Sequence, residues 1–133
     1  MIDLTNAFQE IRIKLEHDKY TSFTTPFGTF RTRVMQQGDC NAPATMMNVM
    51  HDIFQDMLGL TLFIYLDNIF IFSMTLEEPQ EIIREVCCRL RKAKLYANRT
   101  KTSLLPDSIK VLGHVLTKDG IVAAPEKLLK VKN

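Results

Sequence analysis

Tryptophan is absent from this 133-residue chain and cysteine occurs only three times. Cys40 stands alone, Cys87 and Cys88 are adjacent, and none belongs to a C-x-x-C pair. A disulfide framework or a zinc ribbon is therefore not indicated, and buried or partly buried thiols are the expectation. No apolar run reaches the roughly 20 residues needed to span a bilayer, because the longest is broken by Asp67. The opening Met-Ile-Asp-Leu-Thr-Asn-Ala-Phe lacks a basic stretch followed by a long apolar core, so no secretory signal is expected. An intracellular chain, cytoplasmic or nuclear and without a membrane partner, is expected. Also missing are a serine, histidine and aspartate grouping, a glycine-rich phosphate loop and a metal-spaced histidine pair. Low-complexity blocks are absent too, which argues against disorder and against a fibrous protein.

What remains is enough for one domain with a real core: 46% of the residues are hydrophobic and 8% aromatic. The net charge of +2 is unevenly placed. Residues 1–83 hold 5 Lys+Arg against 11 Asp+Glu, a balance of −6, and residues 84–133 hold 12 against 4, a balance of +8. Arg84, Arg89, Arg91, Lys92, Lys94 and Arg99 concentrate the basic charge. Such a run is either a solvated helix face or a surface for a phosphate backbone.

Along the chain, Ile2 to Phe8 starts abruptly, as though a strand were cut just before it. Ile11, Ile13 and Leu15 alternate with charged residues at the period of a half-exposed strand. Tyr20 to Thr25 and Phe30 to Met35 read as further strands about the turn Pro26-Phe27-Gly28, giving an antiparallel meander. Asn41-Ala42-Pro43 opens a helix, and Met46, Met47, Met50, Ile53, Phe54, Met57 and Leu58 recur at helical spacing until Gly59. A second helix begins at Leu76-Glu77-Glu78-Pro79, with Ile83, Val86, Cys87, Leu90 and Ala93 toward a core. Leu95-Tyr96-Ala97 reads as a short strand before the basic loop Asn98 to Lys101. A final hairpin runs from Ile109 to Thr117, turns at Lys118-Asp119-Gly120 and returns through Ile121-Val122. Pro125 onward reads as a helix. The expected class is α+β, an antiparallel sheet with two helices packed on one face and a C-terminal β-hairpin.

The stretch from Leu60 to Ser73 is the centre of this arrangement. Two apolar, β-rich runs meet at Asp67-Asn68, a two-residue polar step that reads as a tight hairpin lifting one carboxylate to its tip. Asp3 is the one similar carboxylate, at the end of another apolar strand. Were the two strands neighbours, the acids would converge as a hard cation such as Mg²⁺ requires. An acid at a hairpin tip is equally an ordinary turn residue.

The run Asp3 to Ile11, then Thr25-Pro26-Phe27-Gly28-Thr29-Phe30, Asn41-Ala42-Pro43-Ala44-Thr45, Tyr65-Leu66-Asp67-Asn68-Ile69 and Leu112-Gly113-His114-Val115 resembles the reverse transcriptase of gypsy-type LTR retrotransposons. The resemblance covers almost the whole chain, with the motifs in order, and implies the polymerase palm. It further implies a palm truncated at both ends, without the fingers, thumb, RNase H and integrase regions, from a decayed or partial copy.

By this resemblance Asp3, with the backbone of Leu4 beside it, and Asp67 are catalytic metal ligands for two Mg²⁺ or Mn²⁺ ions. Asn68 stands where the family has a second aspartate, leaving two carboxylates in place of three. Phe8 matches the aromatic that closes off the sugar 2′ position. Gln37 and Gly38 lie in the loop contacting nucleotide and template, and Lys101 falls where a basic residue near the triphosphate is expected. Leu112, Gly113, His114 and Val115 match the primer-gripping hairpin. The implied partners are an RNA or DNA template with its primer, deoxynucleoside triphosphates and the remaining segments of a parent polyprotein. The alternative is a non-catalytic remnant that binds nucleic acid through the basic face.

Overall fold

In the computed structural model, the described residues are 1–73, 78–104, 106, 108–112, 114–117 and 120–123. The chain divides into two compact units, Ile2–Thr102 and a second made of Met1 with the residues after Thr102.

The first unit is built on a three-stranded antiparallel sheet in the order β1-β5-β4, with β1 at Ile2–Asp3, β4 at Leu62–Tyr65 and β5 at Asn68–Ile71. Alternation decides which side of this sheet is covered. Ile2, Leu62, Ile64 and Ile69 are buried, whereas Phe63 and Tyr65 are exposed. Helix α2 (Ala42–Phe54) packs against β4, and α3 (Glu78–Lys92) against β5. Ala42, Met46, Met50 and Phe54 form the buried stripe of α2, and Val86 and Leu90 that of α3. The two helices thus share a core with one face of the sheet, and the other face stays open.

Helix α3 stops at Lys94, whose φ of 57° is left-handed. The Leu95 N–H donates to the Leu90 carbonyl at 2.9 Å and the Lys94 N–H to that of Arg91 at 3.1 Å, a Schellman stop that seats Leu95 beside Leu90 in the core. Only Val86 and Leu90 of the expected inward residues are fully buried. The stripe runs through Ile82, Val86 and Leu90, so Cys87 turns outward. All three cysteines are exposed, contrary to the expectation of buried or partly buried thiols.

Other elements depart from the expected pattern. Ala7–Glu10 forms the short helix α1. The strand expected from Ile11 to Leu15 pairs with residues 33–35 at only one bridge, Arg12 with Val34, and gives way to a 3₁₀ helix at Leu15–Thr21. Beyond Ile13 the segment is polar apart from Leu15 and Tyr20, both exposed, so no buried apolar face is left to hold it in a sheet. Strands β2 (Ser22–Thr25) and β3 (Gly28–Arg31) form a separate hairpin. Phe23 and Phe30 stack across it at 6.0 Å, and Phe27 at its turn is 93% exposed.

In the second unit, β6 (Ser108–Val111), β7 (His114–Thr117) and β8 (Gly120–Ala123) make a three-stranded antiparallel meander. The single strand expected over Ile109 to Thr117 is therefore a hairpin in itself, with Leu112 at φ 50° in its turn. Gly113, the Lys118-Asp119 turn, the Leu76-Glu77 helix start and the helix expected from Pro125 lie outside the described residues. Among the described residues no helix is long and apolar enough to cross a membrane.

Candidate functional site

On the open face of the sheet, residues of one alternation class stand side by side. Asp3 is paired with Asn68, and Asn68 with Tyr65. The Leu4 N–H donates to the Asp67 carbonyl at 2.9 Å, whereas the Asp3 N–H and C=O both turn away from β5, to Thr102 and Asn98. Asp3 and Asn68 are thus a non-hydrogen-bonded pair, the closer kind, with Cα atoms about 4.5 Å apart in such ladders. The side chains of Asp3 and Asn68 share a face because a period of two puts Ile2 and Ile69 beneath them in the core.

The hairpin itself is shifted by one residue from its expected position. Tyr65 pairs with Asn68, so the two-residue turn is Leu66-Asp67 and Asn68 is the first residue of β5. Leu66 has a φ of 54°, a conformation that costs a leucine roughly 1–2 kcal/mol. Its N–H is turned onto the Met47 sulfur of α2 at 3.1 Å. Asp67 is half-buried at the turn, and the Asn68 Nδ2 donates to its Oδ1 at 3.0 Å.

The other edge of β1 is closed by residues 96–102. Thr5 N–H donates to the Tyr96 carbonyl at 2.7 Å, Leu4 bridges Ala97, and Asn98 N–H donates to the Asp3 carbonyl at 2.7 Å. This segment carries Lys101 up to the strand that bears Asp3. A cavity of about 230 Å³ results, lined by Leu4, Phe8, Gln37, Asp67, Asn98 and Lys101 among others. Five residues singled out from sequence, Leu4, Phe8, Gln37, Asp67 and Lys101, meet there. Asp3 and Asn68 adjoin it on the sheet, and Gly38, at φ 112°, turns the chain next to Gln37. Asn98 was the omission: an asparagine two and three residues before Thr100 and Lys101 is an Asx-turn signal, and its Oδ1 does accept both backbone N–H groups.

The basic face divides. Arg84, Arg91, Lys92, Lys94 and Arg99 are exposed. Arg89 is not a free cation of that face: its guanidinium grips both Asp56 oxygens, its Nε meets Glu85 at 2.7 Å, and Nη1 reaches the Ile53 carbonyl at 3.1 Å. These bonds hold the Asp56 carboxyl below its ordinary value and raise Arg89 further. Arg89 thus ties α3 to the end of α2. Leu112, His114 and Val115 belong to the β6–β7 hairpin of the second unit.

Among the described residues no three His, Cys, Asp or Glu side chains converge as a metal cluster. Position 68, paired with Asp3 and next to Asp67, carries an amide and not a carboxylate.

A family model described as reverse transcriptase (RNA-dependent DNA polymerase) matches residues 1–116. The chain is 32% identical over 127 residues to the retrovirus-related Pol polyprotein from transposon opus of Drosophila melanogaster, covering 96% of this chain and 13% of that protein. To the corresponding polyprotein from transposon 297 of the same species it is 35% identical, covering 96% and 12%. It therefore spans about one eighth of the length of these relatives. Among solved structures, the foamy viral protease-reverse transcriptase dRH in complex with double-stranded DNA superposes with a TM-score of 0.89 at 26% identity, covering 99% of this chain and 23% of that one. The foamy viral protease-reverse transcriptase in complex with an RNA/DNA hybrid gives 0.87 at 26% identity, covering 99% and 18%. The sheet with two helices on one face is the polymerase palm of these proteins. By its sequence over residues 1–116 and by its fold, the chain belongs to the reverse transcriptase family.

Proposed function

We propose that this chain is the palm of a retrotransposon RNA-directed DNA polymerase, serving template-directed transfer of deoxynucleotides to a primer 3′-end. The observation that carries this reading is the meeting of Leu4, Phe8, Gln37, Asp67 and Lys101, drawn from four separate stretches, in one cavity beside the Asp3–Asn68 pair. Solved relatives hold an RNA/DNA hybrid and double-stranded DNA. The same partners, with deoxynucleoside triphosphates and the remaining segments of a Pol polyprotein, are proposed here.

The donor set suits a hard divalent cation. Asp3 and Asp67 offer carboxylates, Asn68 an amide oxygen and Leu4 its carbonyl, and oxygen donors of this kind are what Mg²⁺ and Mn²⁺ take. Two carboxylates would set two negative charges against the four positive charges of two divalent ions, so metal binding would be weaker than with a third acid. Bound there, the ions would activate the primer hydroxyl and neutralise the triphosphate. The chain's own groups do the rest. Asp3 and Asp67 fix the ligand oxygens on a hydrogen-bonded sheet. Phe8 walls the sugar side of the cavity and favours a deoxyribose. Gln37 and Gly38 meet the base and its template, and the Lys101 ammonium stabilises or protonates the pyrophosphate as it leaves.

A non-catalytic reading draws on one contact. Asn68 Nδ2 occupies an Asp67 oxygen at 3.0 Å, where a second aspartate would offer an additional anionic ligand. On that reading the exposed Arg84, Arg91, Lys92, Lys94 and Arg99 hold nucleic acid and no chemistry follows. Primer extension on an RNA template with Mg²⁺ or Mn²⁺ separates the two. The polymerase reading requires extension that is lost in Asp67→Ala and increased in Asn68→Asp. No extension above Asp67→Ala, even with Asn68→Asp, excludes this chain as a self-sufficient polymerase.

A further inference from the structure

We infer that Asn98 is a positioning residue that fixes the place of Lys101, in the cavity wall, relative to Asp3 on the adjoining strand. The inference rests on the reading of Lys101 as a cation for the triphosphate. Its grounds are the bonds that converge on one side chain. Asn98 Oδ1 accepts from the Thr100 N–H at 3.1 Å, the Thr100 hydroxyl at 2.8 Å and the Lys101 N–H at 3.3 Å. The same residue donates its own N–H to the Asp3 carbonyl at 2.7 Å and accepts the Thr102 N–H at 2.8 Å. Thr102 Oγ1 in turn accepts the Asp3 N–H at 3.4 Å.

The turn from Asn98 to Thr102 is therefore closed from inside by one carboxamide oxygen and joined to β1 on both sides of the Asp3 peptide. Neither half suffices alone. Without the Oδ1 bonds the turn stays attached at its ends, but the Lys101 backbone is free to move. Without the Asp3 bonds the turn keeps its shape with no fixed place relative to the carboxylate. Lysine is a point charge on a flexible stem, so only its backbone can be preorganised, and a ligand held by both Lys101 and the acids depends on that backbone. Asn98 also lines the cavity, as Lys101 does.

The three Oδ1 bonds use oxygen alone, so aspartate keeps them and alanine loses them. The test follows amide hydrogen exchange at Thr100 and Lys101, and the affinity of the intact chain for tripolyphosphate in Mg²⁺, in Asn98→Ala, Asn98→Asp, Lys101→Ala and the Asn98→Ala/Lys101→Ala double variant. Exchange at both amides should quicken about tenfold in Asn98→Ala and stay slow in Asn98→Asp. Tripolyphosphate should bind about tenfold more weakly to Asn98→Ala, and the double variant should be no weaker than Lys101→Ala. Additive losses, or a released loop with unchanged affinity, would overturn the positioning role. Unchanged affinity in Lys101→Ala would instead overturn the reading of the lysine itself. Thermal midpoints separate misfolding from mispositioning; should Asn98→Ala not fold, Asn98→Ser, which retains a single acceptor oxygen, replaces it in the same comparison.

Discussion

Replacing Asn68 by aspartate should reverse the order of stability between the two proteins as divalent metal is added. In the wild-type chain, the Asn68 Nδ2 donates to Asp67 Oδ1 at 3.0 Å, and Asp3 is the cross-strand neighbour on the same face. Asn68→Asp exchanges that bond for a carboxylate facing two others. All three positions are half-buried, so the solvent-screened end of the range applies. Two like charges about 4 Å apart then repel by about 1 kcal/mol, and a dication attracts the added charge by about twice that. About 2 kcal/mol corresponds to roughly 30-fold tighter metal binding. In EDTA the variant should melt a few degrees below wild type, since 1 kcal/mol moves the midpoint of a chain this size by roughly 3–5 °C. At metal concentrations near 100 times its dissociation constant it should gain about 2.7 kcal/mol and melt above wild type. The assay is a thermal unfolding series across a Mg²⁺ titration, with Asp3→Asn/Asn68→Asp as control. Two curves that rise in parallel, never crossing, would refute the assignment of position 68 to a metal site.

Other consequences can be measured on the same material. Phe54 is fully buried in α2, so Phe54→Ala should cost about 3–5 kcal/mol in urea unfolding, and a loss below about 1 kcal/mol would contradict the shared core. Asp56 is held below its ordinary 3.8 by Arg89, so its contribution to stability is present above that value and is lost as the pH falls through the lower folded value. Arg89→Met should therefore lower stability at neutral pH and flatten its acid-side decline; an unchanged slope below pH 4 would argue against the pair. Arg91→Gln/Lys92→Gln should reduce the slope of log affinity for duplex against log salt by about 2, whereas Arg89→Gln should leave that slope alone. Equal slopes for all three proteins would remove the phosphate-contact role of the exposed face.

The sequence carries much of the fold because its patterns are local. Met46, Met50 and Phe54 repeat at helical spacing and are the buried stripe of α2, and the alternation of Leu62 and Ile64 with Phe63 and Tyr65 is the two-faced strand β4. The carboxylate hairpin is legible for the same reason, although its turn falls one residue early. There Leu66 takes a left-handed φ that a leucine gives no reason to expect, held by a Met47 contact from another element. The 3₁₀ helix at Leu15–Thr21 escapes the pattern because Ile11, Ile13 and Leu15 alternate correctly, yet only the first two residues have partners across the ladder. Arg89 looks like its basic neighbours in sequence. Glu85 four residues earlier on the same helix is a partner the sequence shows, whereas Asp56 and the Ile53 carbonyl come from the end of α2 and no spacing announces them. At the site, the family resemblance implies the roles of Asp3, Asp67 and Lys101, but the placing of the strands that bear them depends on the β1–β5 register and on the bonds from residues 96–102 to β1. No sequence spacing encodes either.

The most direct test of the metal corner is Mn²⁺ titration of the isotopically labelled chain, followed by paramagnetic broadening of its amide resonances. Broadening should begin at Asp3, Leu4, Asp67 and Asn68, reach Lys101 and Phe8 next, and disappear in Asp3→Asn/Asp67→Asn. Broadening centred anywhere else, or persisting unchanged in that double variant, would contradict the claim that these two strands hold the cation.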